Sequence, residues 1–159
     1  MGKVLIAVDG SKCALKAVDY AAGQFSGPEN LQITLLHVMP YLSTSLWDDG
    51  HILTTDEREA RKHVIDTWMK NQRIKVDPIF KAATEILTTR GIKPEQIETK
   101  TISDSNDVAE SILEETREGG YQTLIVGRCG LSPAKRFLMG GVTNKIINQG
   151  AGKAICVVE

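Results

Sequence analysis

Four glycines, one carboxylate and one threonine hold most of the chemistry legible in this chain. Gly127, Gly130, Gly140 and Gly141 bracket a loop that starts where the apolar run Thr123-Leu124-Ile125-Val126 ends and hands over to Val142 and Thr143. Glycines let main-chain N–H groups approach an anion closely and tolerate positive φ. A helix opening near Gly141 adds unpaired N–H donors and a positive dipole end, and both suit phosphate. The loop is not a P-loop, because no Gly-Lys-Ser/Thr closes it. A second chemistry-bearing end is Val8-Asp9-Gly10-Ser11. A carboxylate there is favourable at a helix start on its own account. Beside the glycine loop of an open α/β sheet, contact with a ribose or a metal is the stronger reading of Asp9.

Other candidates carry less. Arg128, Lys135 and Arg136 suit phosphate neutralisation and a solvated basic turn equally well. Cys13, Cys129 and Cys156 are odd in number and show no CxxC spacing, a pattern that suits free thiols in a reducing compartment. Cys129 lies inside the loop, where N–H donors and Arg128 can stabilise a thiolate. A redox role there ranks below an incidental loop thiol, and Cys13 and Cys156 read as packing residues. His37, His51 and His63 form no pair with ligand spacing. Trp47, with Tyr41 and Leu46, either covers a ligand or packs on the sheet edge, the second slightly preferred. Trp68 reads as core. No paired acid and base and no placed arginine finger accompany Asp9, so these residues do not indicate catalysis.

The elements that must position these residues follow from periodicity. Lys3–Val8 is a nearly continuous apolar run, as expected of a strand covered on both faces. Ser11 is an N-cap candidate, and Ala14, Leu15, Ala17, Val18, Ala21 and Ala22 then recur at helical spacing. The second strand is Ile33–Val38, with Pro40 forbidding simple continuation. Residues 40–55 read as a surface loop. The helical region 56–90 is expected in two pieces, broken at Pro78. The first carries Ala60, Val64, Trp68 and Met69, the second Ile79, Ala82, Ala83, Ile86 and Leu87. Ile97–Ile102 is the third strand, and Ser103–Asn106 a polar turn before a helix at Asp107–Glu118 whose Asp107 and Glu110 have capping-box spacing. Thr123–Gly127, a short helix at Val142–Gln149 and the strand Ala154–Val158 complete the pattern. Strands alternating with helices imply a parallel sheet.

At 159 residues, without repeat or linker, residues 1–159 read as a single domain. A net charge of −1 gives no reason to expect nucleic acid or an anionic membrane. No apolar run approaches the roughly 20 residues that span a bilayer. The N-terminus lacks the regions of a signal peptide, and Ile6 stands where myristoylation wants Ser or Thr. The expectation is a soluble cytoplasmic protein.

With these residues in view, the chain resembles the universal stress protein family. Gly127-x2-Gly130-x9-Gly140 matches that family's ATP-binding signature, and Leu131-Ser132, Lys135-Arg136, Leu138-Met139, the opening VLIAVDGS and LLHV of the second strand look like it too. The resemblance implies an α/β fold: a three-layer, doubly wound, five-stranded parallel sheet in the order 3-2-1-4-5, usually as a homodimer. It implies ATP, or AMP or ADP, as ligand, with Mg or Mn accompanying the phosphates. Asp9 would meet the nucleoside, and main-chain groups of Ala7 and Val38 the adenine. Val126 and Gly127 would line the site, and Gly130, Gly140, Gly141, Val142 and Thr143 would lie under the phosphates. One departure is Gly141, where the family signature has Ser or Thr; the Thr143 hydroxyl remains as a substitute donor. A missing hydrogen bond to a charged group costs about 1.5–3 kcal/mol, or about one to two decades in affinity.

A nucleotide-binding regulatory protein is therefore the first reading. A nucleotide-independent dimeric interaction module, favoured by Gly141, is the second. A slow ATPase and a flavin-binding domain of the electron-transfer flavoprotein type follow. The apolar last strand Ala154–Val158, at a sheet edge, is the expected dimer contact.

Overall fold

The apolar run near the N-terminus cannot leave either face in water, and the chain around it supplies a helical layer for each face. The computed structural model describes residues 2–27, 30–40, 54–131, 139–150 and 152–159. Within them lie strands β1 (Gly2–Ala7), β2 (Leu31–Pro40), β3 (Ile97–Ser105), β4 (Thr123–Gly127) and β5 (Ala154–Val158), and helices α1 (Lys12–Phe25), α2 (Thr55–Thr89), α3 (Val108–Glu118) and α4 (Gly141–Gln149). The five strands form one parallel sheet in the order β3-β2-β1-β4-β5, as expected.

Side chains alternate across a strand, and β1 shows the result. Val4, Ile6 and Val8 pack with Ala17, Val18, Ala21 and Ala22 of α1 and with Ala83 and Leu87 of α2. Leu5 packs on the opposite face with Ile112 and Leu113 of α3 and Ile146 of α4. The sheet is thus sandwiched between an α1/α2 layer and an α3/α4 layer. Leu5 and Ile6, adjacent in sequence, are both fully buried, one on each face. Each such side chain contributes about 1.5–3 kcal/mol through removal from water.

Local signals set the helix starts. The Ser11 hydroxyl accepts from the Ala14 N–H at 3.1 Å, and Asp107 Oδ1 accepts from the Glu110 N–H at 3.2 Å. Thr54 opens α2 with a reciprocal capping box: its N–H donates to Glu57 Oε2 at 2.8 Å, and its hydroxyl accepts from the Glu57 N–H.

The structure corrects four expectations about this framework. Helix α2 runs unbroken for 35 residues through Pro78. The carbonyl that Pro78 cannot satisfy, four residues back at Ile74, belongs to an exposed stretch where water can take its place, since Ile74 is 60% exposed. Beyond the ring, Ile79, Phe80, Ala83, Ile86 and Leu87 all pack on the core and fix the axis. Before it, Ala60 and Val64 are exposed and Trp68 and Met69 only half-buried, so the reading of Trp68 as core fails. Strand β3 continues through the polar Ser103–Ser105, because the Ser105 backbone pairs with Pro40 of β2 across an irregularity after Val38. The buried Ser105 hydroxyl is satisfied by Ser111 of α3 at 2.7 Å. β2 correspondingly reaches Pro40, which occupies its last position. The loop carrying Tyr41, Leu46, Trp47 and His51, and the stretch with Ser132, Lys135, Arg136 and Leu138, lie outside the described residues.

The correction at Pro78 can be measured. A helix-interior proline costs about 3 kcal/mol against alanine, and its rigidity in the unfolded chain returns up to about 1. Pro78→Ala should therefore stabilise the helix by about 2 kcal/mol. Amide exchange in the turns preceding residue 78 should slow by roughly 30-fold, the equivalent of that energy. Unchanged or faster exchange would show that the orphaned carbonyl carries no cost.

Candidate functional site

A parallel sheet wound both ways leaves a crevice where helices leave the central strands on opposite faces. Here α1 follows β1 onto one face and α4 follows β4 onto the other, so the crevice opens at the carboxyl ends of β1 and β4. A cavity of about 300 Å³ sits there. All ten residues singled out from the sequence line it: Ala7, Asp9, Val38, Val126, Gly127, Gly130, Gly140, Gly141, Val142 and Thr143.

The crevice depends on how closely β4 and α1 meet. A Cβ added to Gly127 would lie 2.6 Å from the Cys13 carbonyl carbon, 2.7 Å from its oxygen and 2.9 Å from the Ala14 nitrogen. Those are main-chain atoms, so only glycine lets the strand end reach the first turn of α1. On the other side of this contact, Gly10 has φ +81° and an added Cβ there would meet Ile79 of α2 at 3.1 Å. Glycine allows the chain to turn sharply from β1 into α1 beneath α2.

Hydrogen bonds then hold the rim. Asp9 Oδ1 accepts from the Ser11 N–H at 2.9 Å, which folds the carboxylate back over the turn. Its other oxygen faces the loop after β4, since a Cβ on Gly130 would lie 3.0 Å from Asp9 Oδ2. The Arg128 N–H donates to the Val158 carbonyl at 2.8 Å, and the Arg128 carbonyl accepts from the Gly140 N–H at 2.9 Å. These two bonds anchor both ends of the loop on the sheet. His37 braces the neighbouring strand: its Nδ1 lies 2.7 Å from the Val8 carbonyl, and because a carbonyl only accepts, Nδ1 carries the hydrogen.

Helix α4 begins at the rim with Gly140 as its N-cap, which has no side chain to offer. Its first internal bond runs from the Asn144 N–H to the Gly140 carbonyl at 2.9 Å. The N–H groups of Gly141, Val142 and Thr143 therefore have no acceptor within the helix and sit at its positive end. The Thr143 hydroxyl behaves otherwise than expected. It is buried and donates to the Gly127 carbonyl at 2.8 Å, so its proton is engaged and main-chain amides are left as the anion donors. Among the described residues, nothing lies within 4 Å of a Cβ added at Gly141.

Two further walls were not singled out from the sequence. Leu36 of β2 and Val108 and Ile112 of α3 make the inner face apolar. The signal was present in the 3.6-residue apolar stripe of α3, but which end of the sheet that stripe covers is set by topology. Among the described residues, no Lys or Arg lines the cavity. Arg128 points away instead, its Nε 3.0 Å from the Glu159 carboxylate. Beside the cavity, Lys145 of α4 forms an ion pair with Asp107 at the start of α3. That ammonium, with the Glu110 N–H, holds the Asp107 carboxyl below the usual range.

The cysteines depart most from expectation. Cys13 and Cys129 are joined by a disulfide, with Cα atoms 5.7 Å apart and 116 residues between them in sequence. Cys156 alone is free among the described residues. The reading of three free thiols overlooked that the contact at Gly127 brings the start of α1 beside the loop. No group of three or more potential metal ligands occurs among the described residues. No described helix is long and apolar enough to cross a membrane.

The contact at Gly127 yields a paired prediction. Overpacking against main chain costs typically 1–3 kcal/mol, so Gly127→Ala should lower stability by about 3 kcal/mol in urea unfolding. Gly141→Ala should change it by less than about 1 kcal/mol, since its Cβ enters open space. Equal effects would show that the β4–α1 approach is not the constraint.

With the fold and crevice described, the likenesses to known proteins can be placed. A family model described as the universal stress protein family matches residues 1–153. Universal stress protein YxiE of Bacillus subtilis is 27% identical over 144 residues, covering 91% of this chain and 90% of that protein. The universal stress protein of Archaeoglobus fulgidus in complex with dAMP superposes with a TM-score of 0.62 at 17% identity, over 100% of this chain and 98% of the other. A family protein from Arabidopsis thaliana with AMP bound superposes with a TM-score of 0.63 at 15% identity, over 99% and 91%. At such identities the two structures bear on the fold alone.

Proposed function

The chain belongs to the universal stress protein family, and from that footing we propose that it binds an adenine nucleotide, ATP or else AMP or ADP, and acts as a regulatory protein in a stress response. The observation that carries the proposal is the convergence of one apolar crevice with three amides at the start of α4 that have no acceptor within that helix. Ala7, Leu36, Val38, Val108 and Ile112 offer a non-polar slot of the kind a purine fills. Asp9 stands at its edge as an acceptor for ribose hydroxyls, the role the strand-end carboxylate plays in nucleotide folds. The amides of Gly141, Val142 and Thr143 at the start of α4, with Gly130 facing them, receive the phosphates. A divalent cation, Mg or Mn, would accompany the phosphates with Asp9 as the nearest carboxylate; no cluster of protein ligands is required for it. That relatives of the same fold hold AMP and dAMP supports this reading.

The nucleotide-independent alternative draws on two observations. Gly141 supplies no hydroxyl, and the Thr143 hydroxyl is already engaged with Gly127. Under that reading the protein is a dimeric interaction module in the cytoplasm, joined through β5. The sheet order makes β5 an edge strand, and Ile155, Cys156, Val157 and Val158 are only partly buried. Homodimer formation through this edge belongs to the nucleotide-binding reading as well.

Protein purified without added nucleotide, released by heat and chromatographed, should yield an adenine-containing peak, and calorimetry should detect ATP binding. Repeated absence of both would favour the interaction module. Gly141→Ser should restore the missing donor without a clash and tighten ATP binding by roughly 10- to 100-fold. An unchanged or weaker Kd would place the phosphates elsewhere. For the dimer, Val157→Lys should give a monomer in light scattering with the far-ultraviolet circular dichroism retained; a folded variant of unchanged mass would reject the β5 interface.

A further inference from the structure

The Cys13–Cys129 bridge joins the two halves of the candidate site. Cys13 lies in the first turn of α1, directly after the Asp9-Gly10-Ser11 turn, and Cys129 lies between the end of β4 and Gly130. Cys129 lines the cavity. Both residues are partly exposed, so a small reagent can reach them. Their Cα separation of 5.7 Å falls in the range a disulfide needs. That proximity is imposed by the main-chain contact between Gly127 and Cys13, which does not involve the sulfurs. The two thiols therefore remain neighbours when the bond is open, which is what reversible closure requires. Cys156, on β5, has no such partner among the described residues.

We propose that Cys13 and Cys129 form a reversible thiol–disulfide exchange site on the lip of the cavity, and that the oxidised form holds the Cys129–Gly130 turn in the position that receives phosphate. The second half of this proposal rests on the adenine-nucleotide reading above; the first does not.

The exchange needs only a small-molecule disulfide as oxidant. A thiolate at Cys129 attacks one sulfur of the small disulfide, forming a mixed disulfide and releasing one small thiolate. The Cys13 thiolate then attacks the Cys129 sulfur, closing the bridge and releasing the second. Two electrons pass from the protein to the small disulfide, and the two thiol protons end on the two released thiolates. A small dithiol reverses the sequence. Cys13 stands in the first turn of α1, where the positive end of the helix dipole favours its thiolate as attacking and leaving group.

The coupling to ligand follows from where the bond sits. With the bridge closed, Gly130 is tethered one residue from a fixed point on α1, so less freedom is lost when an anion is gathered in. With it open, the turn depends on weaker ties, such as the Ser11 hydroxyl at 3.5 Å from the Cys129 carbonyl. Reciprocity requires that nucleotide then favour closure of the bridge by the same factor.

The test equilibrates the full chain in glutathione buffers of graded ratio, alkylates it, and reads each cysteine by mass. Cys13 and Cys129 should lose reactivity together as the buffer becomes oxidising, while Cys156 keeps its own. Stable glutathione adducts on Cys129, or closure through Cys156, would overturn the exchange site. ATP affinity is then measured by calorimetry on both forms. The reduced protein should bind at least about 5-fold more weakly. Cys13→Ser and Cys129→Ser should match it and ignore reductant, while Cys156→Ser should respond as the unsubstituted chain does. Equal ATP affinity in both redox forms would reject the coupling and leave nucleotide binding intact. Failure of either form to bind ATP, with the paired titration intact, would reject the nucleotide reading and the coupling with it and leave the exchange site standing.

Discussion

The close approach of Gly127 to the first turn of α1 is the constraint on which the site depends. Without a side chain at that position, the end of β4 rests directly on main-chain atoms of Cys13 and Ala14. This fixes the height of the loop after β4 relative to the turn after β1. It sets Gly130 against the Asp9 carboxylate, carries the Gly127 carbonyl to the Thr143 hydroxyl and places Cys129 beside Cys13. A close approach, a hydrogen bond and a disulfide thus cluster around one steric permission.

Among the described residues the crevice has no cationic side chain in its lining, unlike a charge-driven anion site. Its described walls are mainly apolar side chains and main-chain groups, with the Asp9 carboxylate at the rim, and Arg128 is turned toward Glu159. In the proposed nucleotide complex, ring burial and fixed dipoles would supply attraction that is not screened as a surface charge is. Selectivity among nucleotides would arise from the number of phosphate oxygens the amides can reach.

Much of the framework was legible from residue pattern because local and global preferences agree here. The unbroken apolar runs of β1 and β4 required cover on both faces, and the caps at Ser11 and Asp107 marked where helices begin. Asp9 and the glycines from Gly127 to Gly141 were legible from residue type and spacing, and candidates such as Ala7 and Val38 only through the family resemblance; all ten line one cavity. What was not legible depended on partners distant in sequence. Pro78 looked like a break because sequence does not reveal that Ile74 lies in an exposed stretch while Leu87 is anchored. Ser103–Ser105 looked like a turn because its pairing with Pro40 is a property of the sheet. Cys13 and Cys129 looked unrelated because 116 residues separate them. Thr143 looked available because its acceptor, Gly127, lies in another element.

Helix α2 has a consequence for how the molecule moves. Its 35 residues would extend roughly 50 Å at the rise of an ideal helix. Only the part from Val76 onward contributes buried residues, while Val64, Ile65 and Ile74 face solvent. The inner portion shares the cooperativity of the whole domain. Among the described residues the outer portion fully buries no side chain, so it can melt and reform more readily than the inner portion. One continuous helix thus spans two tiers of persistence, and the border between them falls beside its proline.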